Sequence, residues 1–133
     1  MSKMLLPDTN VLIDVLNGSR QKLRRELAAD AQVGLSLFVE GEFRAGLSKT
    51  ARGLASERAL DDFIGLPNVV QLAPTSPVAK RYGEILHLLL SKGRPIPTND
   101  IWIAAHAMEL GATVVTADPH FKEIPLLDMM LVE

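Results

Sequence analysis

NDIWIAAHAMELGATVVTADPHF, residues 99–121, is the stretch that decides the fold. Thr98 is predicted to cap a helix over residues 99–110, because threonine is among the preferred N-cap residues. Gly111 is predicted to end this helix, since glycine adopts the left-handed backbone of a helix C-terminus. The run over residues 112–116 is apolar and β-branched, which predicts a strand. The stretch therefore predicts a helix followed by a strand, with Asp118 just beyond the carboxyl end of the strand.

The same alternation extends over the rest of the chain. Further strands are predicted over residues 4–6, 33–37, 69–72 and 127–132, and further helices over residues 11–16, 20–29, 39–49, 56–64 and 77–91, the last capped by Ser76. A turn or short helix is predicted at residues 119–122. Strands that alternate with helices predict an α/β fold of three layers, with a parallel sheet of about five strands, helices on both faces and right-handed crossovers.

Length and composition limit the kinds of protein this chain can be. Its 133 residues fit a single domain over residues 1–133. Hydrophobic residues make up 47% and aromatic residues only 5%, so Leu, Ile, Val, Ala and Met must build the core. The chain has no cysteine, which excludes disulfides, thiol catalysis and cysteine-based zinc sites.

The charge and hydropathy of the chain indicate its surroundings and partners. The formal net charge is −2, whereas nucleic-acid-binding domains are often strongly basic, so any contact with RNA would rely on local basic patches. The N-terminus is too soon interrupted by Pro7 and Asp8 to be a signal peptide. No apolar run approaches the roughly 20 residues that span a membrane. A soluble, cytoplasmic protein is expected.

Four acidic residues are the strongest candidates for chemistry: Asp8, Glu42, Asp100 and Asp118. Asp8 and Asp118 follow the predicted carboxyl ends of strands, whereas Asp100 lies in the first turn of its predicted helix and Glu42 one turn into the helix after the second strand. All four can therefore face one edge of the sheet, where the functional crevice of a parallel sheet is found. Carboxylates gathered there would repel one another, and some would take up protons unless a cation lay among them. Oxygen-rich sites favour Mg²⁺ or Mn²⁺. The pattern is typical of a metal-dependent phosphodiesterase.

Each acid also has a simpler interpretation when it is taken alone. Asp8 could be a helix N-cap, and Asp100 could complement the dipole of its helix. Asp118 precedes a proline, which is an ordinary turn signal, and Glu42 could be a solvated charge on a helix. Four unrelated caps and turns at one edge of a sheet are a less economical explanation than one shared site.

Polar residues beside the acids are candidates for supporting roles. They could hold metal-bound waters or orient the carboxylates, and they are Asn10, Thr98, Asn99 and Thr116. Arg44 is a candidate contact to RNA phosphate. His120 could contact a substrate phosphate or could be a solvated loop residue. Trp102 could pack in the core or stack on a base.

These motifs, in this order, resemble those of the PIN-domain ribonucleases, most closely the VapC-type toxins of prokaryotic toxin–antitoxin pairs. DTNVLID, beginning at Asp8, is similar to the opening motif of the family. SLFVEGEFRAG is similar to the second motif, whose acid precedes a glycine by four residues, here Glu42 and Gly46. NDIWIAAHAMELGATVVTAD is similar to the third and fourth motifs joined. Glu40 lies close enough to Glu42 to keep the assignment of the second acid open.

The resemblance implies a PIN-like fold and hydrolysis of RNA phosphodiester bonds with Mg²⁺ or Mn²⁺. By this resemblance Asp8, Asp100 and Asp118 would bind the metal, and Glu42 would bind it or orient the attacking water. The implied partners are a small cognate antitoxin and an RNA substrate, with assembly into a homodimer or a toxin–antitoxin hetero-oligomer. Operator DNA would be contacted only through the antitoxin, and no membrane is involved.

Two other classes of protein remain as alternatives. One is a non-catalytic PIN-like module that binds RNA or protein, against which the intact set of four acids argues. The other is a phosphoacceptor signalling domain, which would need an acidic pair after its first strand and an acid after its third. The third predicted strand here ends at Leu72–Ala73–Pro74. The identity of the RNA target and the number of metal ions stay open at this point.

Overall fold

A parallel sheet of five strands lies at the centre of the computed structural model, which describes residues 3–28, 31–49 and 51–132. The strands are β1 (Leu5–Pro7), β2 (Val33–Ser36), β3 (Val69–Leu72), β4 (Thr113–Thr116) and β5 (Met129–Leu131), in the spatial order β3-β2-β1-β4-β5. All four neighbouring pairs run parallel, with Leu5 opposite both Val33 and Thr113. β1 is therefore the central strand, and β2 and β4 flank it.

The helices occupy the connections between the strands. They are α1 (Thr9–Leu16), α2 (Gln21–Ala28), α3 (Leu37–Leu47), α4 (Gly53–Ile64), α5 (Ser76–Ser91) and α6 (Thr98–Leu110), and a short 3-10 helix spans Pro119–Glu123. The chain moves one way across the sheet from β1 to β3 and back the other way from β3 to β4. Right-handed crossovers therefore place α1–α4 and α5–α6 on opposite faces. This confirms the predicted three-layer α/β fold.

Helix starts differ from the sequence predictions where two candidate caps stand side by side. Thr75, not Ser76, caps α5, since its Oγ1 accepts a hydrogen bond from the backbone N of Val78 at 3.4 Å. Thr98 was predicted as a cap but is the first residue of α6, and Pro97 holds the cap position with extended backbone (φ −55°, ψ 139°). Because Pro97 is already extended, the helix begins one residue earlier than predicted.

Other boundaries move by one to three residues. The first helix starts at Thr9 rather than residue 11, and α3 starts at Leu37 because Ser36 Oγ accepts from Phe38 N at 3.2 Å. α4 begins at Gly53 rather than residue 56. Pro7 belongs to β1, where it pairs with Val115. Helix α2 begins at Gln21, and the predicted end of that helix at residue 29 lies outside the described residues.

Aliphatic side chains build the core, as the composition predicts. All four residues of β2 and of β4 are buried. Phe121 is also fully buried and packs with the core just after β4. Trp102 is half-buried between two other rings, with centroid distances of 4.8 Å to Phe38 and 4.1 Å to Tyr82, which agrees with a packing role. Within the described ranges, no helix has the length and apolar character needed to cross a bilayer.

Candidate active site

Asp8 lies at the centre of the edge formed by the carboxyl ends of the strands. It directly follows β1, and its backbone N donates to Val115 O of β4 at 3.0 Å. Its side chain caps α1, with Oδ1 accepting from Val11 N at 2.9 Å. The residue is only 5% exposed. The simpler interpretation of Asp8 as an N-cap is thus correct, and the cap also fixes the carboxylate at the edge of the sheet.

Thr116 connects Asp8 to Asp118. At the end of β4, its buried hydroxyl donates to Oδ2 of Asp8 and accepts from the backbone N of Asp118 at 3.0 Å. Asp118 in turn caps the 3-10 helix, because its Oδ1 accepts from His120 N at 3.0 Å. One hydroxyl therefore ties together two acids that are 110 residues apart in the sequence.

Asp100 approaches the same edge from α6. It lies in the first turn of that helix, and its side chain is 21% exposed. Oδ2 of Asp100 is 2.9 Å from Nε2 of His120, and Nδ1 of the same imidazole is 2.9 Å from Oδ1 of Asp118. The ring of His120 thus bridges the two carboxylates. The Nε2 contact with Asp100 is a hydrogen bond, and the Nδ1 contact with Asp118 is an approach at ion-pair distance.

Glu42, on α3, turns toward the same side as Asp8. Its Oε1 accepts from the hydroxyl of Thr9, the residue next to Asp8, at 2.9 Å. Glu40 points elsewhere: its Oε2 accepts from Nε of Arg44 at 2.9 Å and its Oε1 from the side chain of Gln71 at 2.7 Å. These contacts favour Glu42 as the fourth acid of the cluster.

Burial and mutual repulsion alter the acidity of two of these groups. Burial raises the pKa of Asp8 most strongly; the hydrogen bonds from Thr116 and Val11 N oppose this, and the charges of Asp118 and Glu42 add to it. Burial also raises the pKa of Asp100, with His120 opposing the shift and the charges of Asp8 and Glu42 adding to it. The four carboxylates are therefore close enough to interact electrostatically: Asp8 with Asp118 and Glu42, and Asp100 with Asp8 and Glu42.

The chemistry of this donor set fits a hard divalent cation. Carboxylates are the ligands that Mg²⁺ and Mn²⁺ prefer, and a cation would relieve the repulsion that adds to the effect of burial on both pKa values. Among the residues that the structure describes, no three acidic or histidine side chains are already gathered closely enough to hold an ion. Hydrogen bonds from Thr116, His120 and Thr9 hold the carboxylates instead. Binding of an ion would therefore require these carboxylates to move closer together.

The predicted supporting residues have different positions. Thr116 lies between two of the acids, as described above. Asn10 and Thr98 are exposed in the first turns of α1 and α6, and Asn99 is half-buried beside Asp100.

Arg44 is turned away from the acids toward other partners. Besides Glu40, its guanidinium contacts Asp61 Oδ1 at 3.3 Å. These two carboxylates raise the pKa of Arg44 and hold its charge on the α3–α4 side. Its predicted contact with RNA phosphate therefore stays a prediction, and one that these ion pairs disfavour.

Two contacts of the cluster were not foreseen from the sequence. One is the hydroxyl of Thr9, although the residue stands inside the quoted DTN motif. The other is the bridging ring of His120, for which the sequence suggested a phosphate contact or a solvated position. Its place two residues after Asp118 was the only signal. Of the other histidines, His87 is exposed and His106 is 1% exposed, with Nε2 at 3.3 Å from Ala73 O.

Comparison with known proteins identifies the family. The family model for the PIN domain matches residues 5–127. The chain is 31% identical over 113 residues to Ribonuclease VapC1 of Haemophilus influenzae, covering 82% of each protein. It is 30% identical over 124 residues to Ribonuclease VapC2 of Rickettsia felis, covering 90% of this chain and 91% of the relative.

Solved structures agree with these relatives. A chain of VapBC2 from Rickettsia felis, bound to a DNA fragment from its promoter, superposes with a TM-score of 0.85 at 28% identity and covers 98% of this chain and 99% of its own length. A chain of VapBC-1 from nontypeable Haemophilus influenzae gives a TM-score of 0.80 at 26% identity, with 96% and 97% covered. The chain therefore belongs to the PIN domain family and, within it, is similar to the VapC ribonucleases.

Proposed function

We propose that this protein is a metal-dependent endoribonuclease, which hydrolyses RNA phosphodiester bonds as the toxin of a type II toxin–antitoxin pair. The observation that carries the proposal is the link from Asp8 through Thr116 to Asp118 at the carboxyl edge of the sheet. Glu42 and Asp100 interact electrostatically with Asp8 at the same edge. The PIN domain match over residues 5–127 and the single sheet support one domain for the whole chain.

In this proposal the four acids have different roles in metal binding and catalysis. Asp8, Asp100 and Asp118 would hold a Mg²⁺ or Mn²⁺ ion, and Glu42 would bind the ion or orient the attacking water. When bound, such an ion lowers the pKa of a coordinated water and offsets charge on the phosphodiester. Thr116 keeps Asp8 oriented through its hydroxyl, and the N-terminus of α1 fixes the other oxygen of Asp8. The half-buried position of Asp100 keeps bulk water from screening the charges.

A cavity lined mainly by apolar side chains supports the antitoxin as a partner. It has a volume of about 330 Å³ and opens between α1, α2 and α4, where Val15, Leu27 and Phe63 contribute to its lining. An amphipathic partner helix binds to grooves of this kind by its apolar face. The similar structures from Rickettsia felis and Haemophilus influenzae are VapBC assemblies, which supports a toxin–antitoxin hetero-oligomer here. We infer that contact with operator DNA would come through the antitoxin.

The proposal is tested by RNA cleavage with purified full-length protein. Wild-type protein should cleave RNA with Mg²⁺ or Mn²⁺ and lose the activity in excess EDTA. Asp8→Asn and Asp100→Asn should each lower cleavage by more than about 100-fold, since even the loss of an outer partner of a metal ligand costs 10–100-fold. Asp62→Asn, at an exposed position on α4, is the matched control and should keep full activity.

The same experiment distinguishes the proposed nuclease from the non-catalytic alternative. A PIN-like module that only binds RNA would retain RNA in a mobility-shift assay but leave it intact with either metal. If wild-type protein leaves all tested RNA intact, or if both site variants cleave at the wild-type rate, the proposed function is wrong.

A further inference from the structure

Both ring nitrogens of His120 lie close to carboxylates of the acidic cluster. Nε2 lies 2.9 Å from Oδ2 of Asp100, and Nδ1 lies 2.9 Å from Oδ1 of Asp118. The Nε2 contact is a hydrogen bond and the Nδ1 contact is at ion-pair distance, so the ring lies between the two carboxylates. Each contact uses one oxygen of a carboxylate, which leaves Oδ1 of Asp100 and Oδ2 of Asp118 as the oxygens that could bind an ion.

The backbone around His120 holds the ring in this position. Asp118 caps the 3-10 helix by accepting from the backbone N of His120 at 3.0 Å. Pro119 restricts the backbone in the first turn of that helix. Phe121, which is fully buried, anchors the segment in the core, and its ring centroid lies 5.2 Å from that of His120. The imidazole side chain is 28% exposed, so solvent reaches it only partly.

We propose that His120 is a positioning residue, which fixes the directions of the Asp100 and Asp118 carboxylates for the divalent ion. The inference rests on the proposed function and adds to it a residue that acts through the acids. Outer partners that hydrogen-bond to metal ligands orient them, and their loss commonly costs 10–100-fold in metal affinity. His120 is placed to act in this way on two acids that come from different elements, α6 and the segment after β4.

Metal binding by the full-length protein, measured with Mn²⁺ by titration calorimetry or electron paramagnetic resonance, tests the proposal without relying on activity. His120→Ala should weaken Mn²⁺ binding by about 10–100-fold. His87→Ala, at the exposed histidine of α5, is the matched control and should bind Mn²⁺ as wild type does. If His120→Ala binds Mn²⁺ as tightly as wild type, or more tightly, the proposal is overturned.

Two conservative variants keep the test informative if the alanine variant folds poorly. The amide nitrogen of His120→Asn can replace Nδ1 and restore the contact with Asp118. That of His120→Gln can replace Nε2 and restore the contact with Asp100. Each should recover part of the Mn²⁺ affinity that alanine loses, with circular dichroism showing that the variants are folded. If the folded Asn and Gln variants, each lacking one contact, both bind Mn²⁺ as tightly as wild type, then the bridge is not needed for metal binding and the proposal is overturned.

Cleavage at two Mn²⁺ concentrations separates positioning from a direct role on RNA. A positioning residue acts through metal affinity, so cleavage by His120→Ala should approach the wild-type rate once Mn²⁺ saturates the variant. A residue that contacts the substrate would lower the rate even at saturating Mn²⁺, and this result would overturn the proposal. If wild-type protein binds Mn²⁺ and does not cleave RNA, the proposed function fails while the binding comparison still decides the role of His120. If wild type binds no Mn²⁺, both proposals fail.

Discussion

The hydroxyl of Thr116 donates to Oδ2 of Asp8 and so connects the carboxyl end of β4 to that of the central strand β1. Because Asp8 is 5% exposed, it has little access to water and depends on the protein for hydrogen bonds. Thr116 also accepts from the backbone N of Asp118. A single buried hydroxyl thus sets the orientation of one acid and the backbone of another.

Thr116→Val, which keeps the shape and removes the hydroxyl, should therefore impair both stability and catalysis. Loss of a partner for a buried polar group typically costs about 1–3 kcal/mol of unfolding free energy. RNA cleavage should fall by about 10–100-fold, as for other partners of metal ligands. The Thr116 hydrogen bond lowers the pKa of Asp8, so this pKa should rise further in the variant, measurable from carboxyl ¹³C shifts. Thr116→Ser retains the hydroxyl and should stay close to wild type in all three measurements.

Asp100→Asn should stabilise the protein when no divalent ion is present. Burial raises the pKa of Asp100 above its unfolded value. The contribution of this group to stability is therefore complete below the unfolded pKa and is lost as pH rises through the folded pKa. The asparagine amide does not ionise, so the melting temperature of Asp100→Asn in EDTA should exceed that of wild type at pH 7, by a margin that shrinks toward pH 4.

The controls for this comparison are Asp62→Asn and added metal. Asp62 is exposed, so its substitution should leave the melting temperature and its pH dependence unchanged. With excess Mn²⁺ the order should reverse, because an ion that binds only the folded wild type stabilises it. A melting temperature for Asp100→Asn below that of wild type in EDTA at pH 7 would show that burial of the charged carboxylate does not destabilise the folded protein.

Glu42→Gln and Glu40→Gln should separate the two candidate acids of α3. Glu42 is joined to the cluster through Thr9, whereas Glu40 is held by Arg44 and Gln71. Glu42→Gln should lower RNA cleavage by at least about 10-fold, as expected for a group that binds metal or orients water. Glu40→Gln should keep cleavage within about threefold of wild type and cost only about 0.3–0.5 kcal/mol, the usual value of an i,i+4 ion pair. Equal losses of activity in both variants would contradict the assignment.

Alanine substitutions at Gly111 and Gly83 should change the stability of the fold in opposite directions. Neither would place a new Cβ within 4 Å of other atoms, but Gly111 has φ +64° at the end of α6, and Gly83 is inside α5. Gly111→Ala should therefore destabilise the fold by about 1–2 kcal/mol through left-handed backbone strain. Gly83→Ala should stabilise it by about 0.5–1 kcal/mol, because alanine is the better helix former. Urea unfolding of both variants checks the opposite signs.

Much of the fold and the places of the acids could be predicted from the sequence, because local patterns carry that information. Strands that alternate with helices imply a parallel sheet, and the acids after β1 and β4 then meet at one edge. The bridge of His120 could not be predicted, since it depends on how the 3-10 helix packs against the start of α6. The residue that caps α5 could not be predicted from local preferences either, because Thr75 and Ser76 are both suitable N-cap residues.

His106 should make the stability of the protein fall as the solution becomes acidic. The side chain is 1% exposed, and in the described part of the chain its Nδ1 has no hydrogen-bond partner. Burial lowers the pKa of His106, although the contact with Ala73 O opposes the shift. The unfolded chain therefore binds the proton more readily than the folded one. The stability from this residue is complete above the unfolded pKa of about 6.5 and is lost as pH falls below it.

His106→Gln, which cannot titrate, tests this dependence against wild type. Between pH 7.5 and pH 5 the unfolding free energy of wild type should decline relative to that of the variant, measured by urea unfolding in EDTA. His87→Gln is the control, and it should follow the wild-type curve because His87 is exposed on α5. The raised pKa values of Asp8 and Asp100 contribute the opposite slope in all three proteins, so it cancels in the difference. A wild-type curve parallel to that of His106→Gln over this range would show that His106 takes up its proton equally in both states.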